Sequence, residues 1–210
     1  MPTFNRMDIT SYAVDSDGRT ILASTAAATF AFDTLRHEWE KQVDWSLPFS
    51  GRAYFVHGLD VFVGLPKDVG AFRHLCFCRW LGDDKHDVWF SKENLLGEDP
   101  AERHAGTALV YLGESRFCLV ESINIEDAKA VHKWLEEWQE LDHTEEGEGS
   151  SLITHTEEGE GRPLITHCRL TTFSLSSDMN GDLTAAETAV QCYEVPVEAS
   201  FHDNPVAFWL

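Results

Sequence analysis

Tight-turn dipeptides set between short β-branched and aromatic runs constrain this chain most, because a hairpin turn fixes both the reversal and the pairing of its flanks. Ser11 to Asp15 and Arg19 to Ser24 flank Asp17-Gly18, a pair that tolerates positive φ. A strand is predicted over Ala28 to Asp33, followed by Trp39, the Leu47-Pro48 loop, and the pair Arg52 to His57 and Val61 to Leu65. Leu75 to Trp80 and Asp87 to Phe90 precede a polar loop through Pro100, and Gly106 to Leu112 and Arg116 to Ser122 frame Gly113-Glu114. His167 to Ser176 and Thr188 to Val195 flank Asn180-Gly181, and Pro205 to Leu210 supplies a closing strand. A chain punctuated in this way folds as antiparallel meanders.

The order repeats loosely. Phe32 and Phe77 lie 45 residues apart, and Tyr54 and Val110 lie 56 apart. Offsets of this size suit blades of four short strands with variable loops. The expectation is a mainly β fold, a partial or small β-propeller of about three four-stranded antiparallel blades. That number is below the usual minimum of about four for a closed propeller, so open sheet edges are expected to pair with a partner or a second copy. Residues 1–125 hold the first two units, 126–166 an insertion, and 167–210 the third unit with the closing strand.

The insertion opens on Val131, Trp134, Leu135 and Trp138, which recur at helical spacing and predict one amphipathic helix over Glu126 to Leu141. Trp134 and Trp138 share its apolar face, which covers a sheet or receives a partner. A tandem duplication follows: His143 to Thr154 reads HTEEGEGSSLIT and His155 to Thr166 reads HTEEGEGRPLIT. Glu136 to Gly161 carries ten carboxylates and no Lys or Arg, which predicts a solvated insertion.

Charge narrows the partners. Sixteen Lys plus Arg against 36 Asp plus Glu give a formal charge of -20, which repels nucleic acid and anionic lipid and favours a basic protein partner. No stretch approaches the ~18 apolar residues of a membrane span, and the N-terminus lacks a secretory or organellar pattern. Five cysteines without a CxxC pair, and no Asn-x-Ser/Thr sequon, fit a reducing compartment, so the expected location is cytoplasmic or nuclear.

Motifs for chemistry are sparse. His74, Cys76 and Cys78 alternate on one strand face, a placement that surrounds a tetrahedral metal poorly and reads as buried cysteines beside a histidine. Asp178 to Asp182 opens like a calcium loop but has Ala189 at the twelfth position, and Asp15-Ser16-Asp17-Gly18 reads as a turn. His37-Glu38 meets Lys41 where a zincin needs its second histidine. His143, His155 and His167 recur every twelve residues beside glutamates, a pattern for weak metal contact only. Nucleophile-elbow, P-loop and dinucleotide patterns are absent. No cofactor, metal or catalytic residue is expected.

The segment TFAFDTLRHEWEKQVDWSLPFSGRAYFV resembles a kelch-type blade, with Asp33 closing a turn while Phe32 and Trp39 pack, although the usual double glycine is missing. Ala28 to Gly64, Glu98 to Glu121 and Pro205 to Leu210 resemble a grass-plant family of uncharacterised proteins related to the DUF1618 group and to kelch-like propeller proteins. WSLPFSGRAYF and EDPAERHAGTALVYLGESRFCLVE carry that resemblance, which implies a propeller fold without catalytic residues.

These readings converge on a non-enzymatic, kelch-like protein-interaction module. One alternative is a ligand binder or enzyme whose loops bring Arg52, His57, Arg103 and His104 to a central channel. Another is a degenerate paralogue with little function of its own.

Overall fold

In the computed structural model, described here for residues 8–81, 85–96, 99–126, 164–178 and 182–196, side-chain size explains the shape of the larger sheet. That sheet is built from β1 (Ser11–Val14), β2 (Thr20–Ser24), β3 (Thr29–Asp33), β4 (Glu38–Val43), β5 (Phe49–Val56), β6 (Val61–Pro66), β7 (Cys76–Trp80) and β8 (His86–Phe90). Its order is β4-β3-β2-β1-β5-β6-β7-β8, two antiparallel four-stranded meanders whose first strands, β1 and β5, pair in parallel.

One register row crosses all eight strands: Trp39, Phe32, Ile21, Val14, Tyr54, Val63, Phe77 and Trp89. The neighbouring row, on the opposite face, reads Glu40, Ala31, Leu22, Ala13, Ala53, Gly64, Cys76 and Phe90. Bulky residues along the first row, against Ala13, Ala53, Gly64 and Cys76 at the centre of the second, let the sheet close toward that second face. It curls into a half-barrel. Ala13, Leu22 and Ala31 therefore share an inner core with Phe49, Phe62, Cys76 and Cys78 from the other meander.

A second sheet, in the order β12-β11-β10-β9, comprises β9 (Glu102–Gly113), β10 (Arg116–Glu126), β11 (Leu164–Ser177) and β12 (Leu183–Glu194). Its Leu109, Phe117, Leu119, Phe173 and Leu175 pack on the outside of β5–β7, against Val56, Val63, Leu75 and Phe77. Phe117 and Phe173 stack at 5.6 Å in this layer, and the Tyr54 hydroxyl donates to the Leu109 carbonyl at 2.8 Å, tying the sheets together.

The mainly β expectation holds, and the grouping of strands differs from three separate blades. The strands of the expected first unit run through β1 to β6 of one sheet, with β1 and β5 paired in parallel, and the expected second blade is divided, its first two strands ending the large sheet as β7–β8 and its last two opening the small one as β9–β10. Phe32 and Phe77 do occupy equivalent places in the two meanders, whereas Tyr54 and Val110 lie on different sheets. The predicted third unit begins at β11, three residues before His167. Of the helix predicted over Glu126 to Leu141, Glu126 instead ends β10, and the rest, with Trp134 and Trp138, lies outside the described residues, as do the acidic duplication up to 163, the Asn180-Gly181 turn and Pro205 to Leu210. Among the described residues, no helix is long and apolar enough to cross a membrane.

Candidate functional site

The inward face of the half-barrel opens into a cleft at one end, and its walls follow from strand alternation. Ala13 points into the inner core, so Asp15 two residues on points inward at the mouth, opposite Thr20, whose carbonyl accepts the Asp15 N–H at 2.8 Å. The Asp17-Gly18 turn holds this corner: the Asp17 carboxylate accepts from the N–H groups of Arg19 and Thr20, each at 2.8 Å, and from the Thr20 hydroxyl at 2.7 Å. Gly18 supplies the positive φ of +68°. Those bonds keep the Asp17 carboxyl below its ordinary range, the Thr20 and Arg19 N–H groups contributing most.

Trp80 closes the cleft from the far end of the same curled sheet. The cleft measures ≈ 460 Å³, and Asp15, Thr20, Leu22, Ala31, Gln42 and Trp80 line it. Trp80 is braced by Trp45 at 5.1 Å, and Trp45 stacks on His86 at 3.8 Å. The segment carrying Trp45 is itself fixed from inside. Ser24 and Thr29 hydroxyls meet at 2.7 Å, Thr29 donates to the Trp45 carbonyl at 2.8 Å, and the Leu47 N–H donates to Ser24 at 3.1 Å. Lys67 adds bonds to the Ser46 hydroxyl and the Leu47 carbonyl, and burial pulls its ammonium below the ordinary lysine range.

A polar end of the smaller sheet is the second concentration of chemistry. Glu121 is fully buried on the face that also carries Phe117 and Leu119, because all three alternate along β10. His104 Nδ1 lies 3.4 Å and Arg169 3.9 Å from its Oε1, and Arg169 also pairs with Glu102. Burial pulls the Arg169 guanidinium down, but hydrogen bonds to Glu102 and Cys192 and the two carboxylate charges more than offset it, leaving it above its ordinary value. This cluster holds charge inside the fold. Three strands are locked together by it.

The four residues expected to share a channel are divided between the sheets. Arg52 is exposed on β5 with its guanidinium 4.8 Å from the Tyr54 ring centroid, and His57 is exposed just beyond β5, edge-on to Phe55 at 5.0 Å. Arg103 and His104 are successive on β9 and face opposite sides, so His104 alone joins the Glu121 cluster.

Cys76 and Cys78 are buried, and burial, helped by Cys78 and Asp87 respectively, pushes each thiol up to about 12. Such thiols stay protonated and unreactive at neutral pH. Among the described residues, no group of three or more His, Cys, Asp or Glu side chains is placed to hold a metal ion. Sequence marked Asp15 only as part of a turn and did not mark Gln42 or Trp80 as site residues. The signal for Asp15 was present in the alternation Ser11, Ala13, Asp15, which places it on the buried face.

A family model described as "Protein of unknown function (DUF1668)" matches residues 1–193, and the chain belongs to that family. The match names neither the DUF1618 group nor kelch-like propellers. No curated protein and no solved structure matches the chain.

Proposed function

We propose that the chain is a non-enzymatic protein-interaction module of the kelch-like kind, taking an extended, basic segment of a partner protein along the outer edge of β8. The observation that carries this reading is the state of that edge. β8 ends the eight-stranded sheet with Val88 39% and Phe90 40% exposed and with His86 and Asp87 exposed beside them. An end strand directs alternate N–H and C=O groups outward, and an extended segment completes that ladder while its side chains supply selectivity. The opposite end strand, β4, exposes Glu38, Glu40 and Lys41, the charges that discourage strand addition. Among the described residues, β8 is the less guarded edge.

Charge selects the segment. A formal charge of -20 attracts basic chains and resists a second acidic copy. The kelch-like part of the reading is supported by the two antiparallel meanders, each with the four strands of a propeller blade. Selection of random displayed peptides against the intact protein tests the proposal. Enriched peptides are expected to be basic, with apolar residues at alternate positions, and to lose binding to the Val88→Lys/Phe90→Lys double variant. Failure to enrich any peptide, or undiminished binding to the double variant, removes this reading.

A further inference from the structure

We propose that the cleft at the open end of the half-barrel is a site for one cationic group, a guanidinium or an ammonium. It deepens the interaction reading and rests on it for the source of that group, a Lys or Arg side chain of the partner segment. Trp80 pairs with His86, the first residue of β8, so a strand added along β8 runs toward the cleft.

The walls select this chemistry by elimination. Its volume of ≈ 460 Å³ lies within the range of small-ligand sites, and it combines an aromatic wall with a few polar groups. Trp80 offers an indole face held by Trp45, Asp15 a lining carboxylate whose Oδ1 also accepts from the Ser16 N–H at 2.6 Å, and Thr20 and Gln42 oxygen acceptors, with no Lys or Arg among the described lining residues. A cation over an indole beside a carboxylate gains from both. An anion meets the opposite field, because register puts Asp33 and Glu38 on the inward face beside Thr20, and Glu40 beside Ala31. Arg36 lies 3.2 Å from Asp33, outside the lining. A bare metal ion finds one carboxylate among the described lining residues, too few ligands for a closed site. A wholly apolar ligand leaves Asp15, Thr20 and Gln42 without their water.

Calorimetric titration of the full chain with N-acetyl-arginine methylamide and N-acetyl-lysine methylamide, against the neutral N-acetyl-glutamine methylamide, tests the site. The two cations are expected to bind and the neutral amide not. Affinity is expected to fall about tenfold in Asp15→Asn, equivalent to ~1.4 kcal/mol, to fall in Trp80→Leu, and to weaken with salt. A cooperative urea transition checks each variant, and Gln42→Ala, at an exposed position, replaces Trp80→Leu if that variant does not fold. Equal binding of the neutral amide, or unchanged affinity in Asp15→Asn, overturns the proposal. If the amides fail while basic peptides still bind the β8 edge, the cleft assignment falls and the interaction reading stands. If the amides bind as expected and no peptide does, the cleft stands and the interaction reading falls.

Discussion

The two meanders of the large sheet carry nearly the same row of side chains and live in different surroundings. Across β5–β8 the row reads Tyr54, Val63, Phe77, Trp89, and across β1–β4 it reads Val14, Ile21, Phe32, Trp39. The β5–β8 half lies beneath the small sheet, where Val63 and Phe77 are 0% exposed. In the β1–β4 half, Tyr12 is 45% and Val14 42% exposed, and Phe32 is half-buried. Pattern sets the strand and its face; burial comes from what lands on that face. The covered half therefore carries more of the stability, while the cleft draws most of its walls from the other half.

The largest test of that contrast is a matched pair of truncations. Phe77→Ala removes a ring from the layer between the sheets and is expected to cost about 4 kcal/mol, whereas Phe32→Ala, at the equivalent position, is expected to cost about 1 kcal/mol. Urea unfolding of both variants measures the difference. Equal losses would mean that the β1–β4 half is as fully packed as its counterpart.

A smaller effect is expected on the inner face. Gly64 sits in the small-residue row, where an added Cβ meets the Phe49 ring at 2.7 Å and Ala53 Cβ at 3.2 Å. Phe49 is itself 0% exposed and cannot swing away. Gly64→Ala is expected to destabilise by about 1–3 kcal/mol through overpacking. At Leu22, the corresponding position of the other meander, the row already accommodates a large side chain, and Leu22→Ala leaves a cavity instead. A neutral Gly64→Ala, read by the same urea transition, would show that the curl does not depend on small residues there.

Much of this comparison was legible in the sequence. The 45-residue offset from Phe32 to Phe77 identified equivalent positions, and Asp33, read as a turn former, accepts from the Leu35 and Arg36 N–H groups at 2.8 and 3.0 Å. Asp17-Gly18 was read correctly for the same reason, since local turn chemistry lies within a few residues. The parallel joining of β1 to β5 was not legible, because it brings together segments some forty residues apart with no turn to announce it. Nor was the division of β7–β8 from β9–β10, which depends on which hydrophobic face meets which. For the cleft, the alternation from Ala13 to Asp15 was readable, but the approach of Trp80 to Ala31 needs the curl of the whole sheet. Arg103 and His104 were expected to line one loop-built channel, and the strand β9 turns them to opposite faces.

The smallest expected effect concerns the turns of the β1–β4 half. Asp33 is held below its ordinary range first by the Arg36 N–H and then by that of Leu35, as Asp17 is by Thr20 and Arg19. A carboxyl depressed in the folded state stabilises above its unfolded pKa, and that contribution disappears as pH falls through the folded value. Both groups are solvent-accessible, so the effect is modest and screened. Asp33→Asn keeps an oxygen acceptor for the turn but removes the charge. It is expected to be slightly less stable than the parent chain near neutrality, and the gap should close as acid protonates Asp33 in the parent below about pH 4. Urea midpoints of both proteins across this range measure the gap. A difference that stays constant into acid would assign the turn's stability to its geometry and leave none to the carboxylate charge.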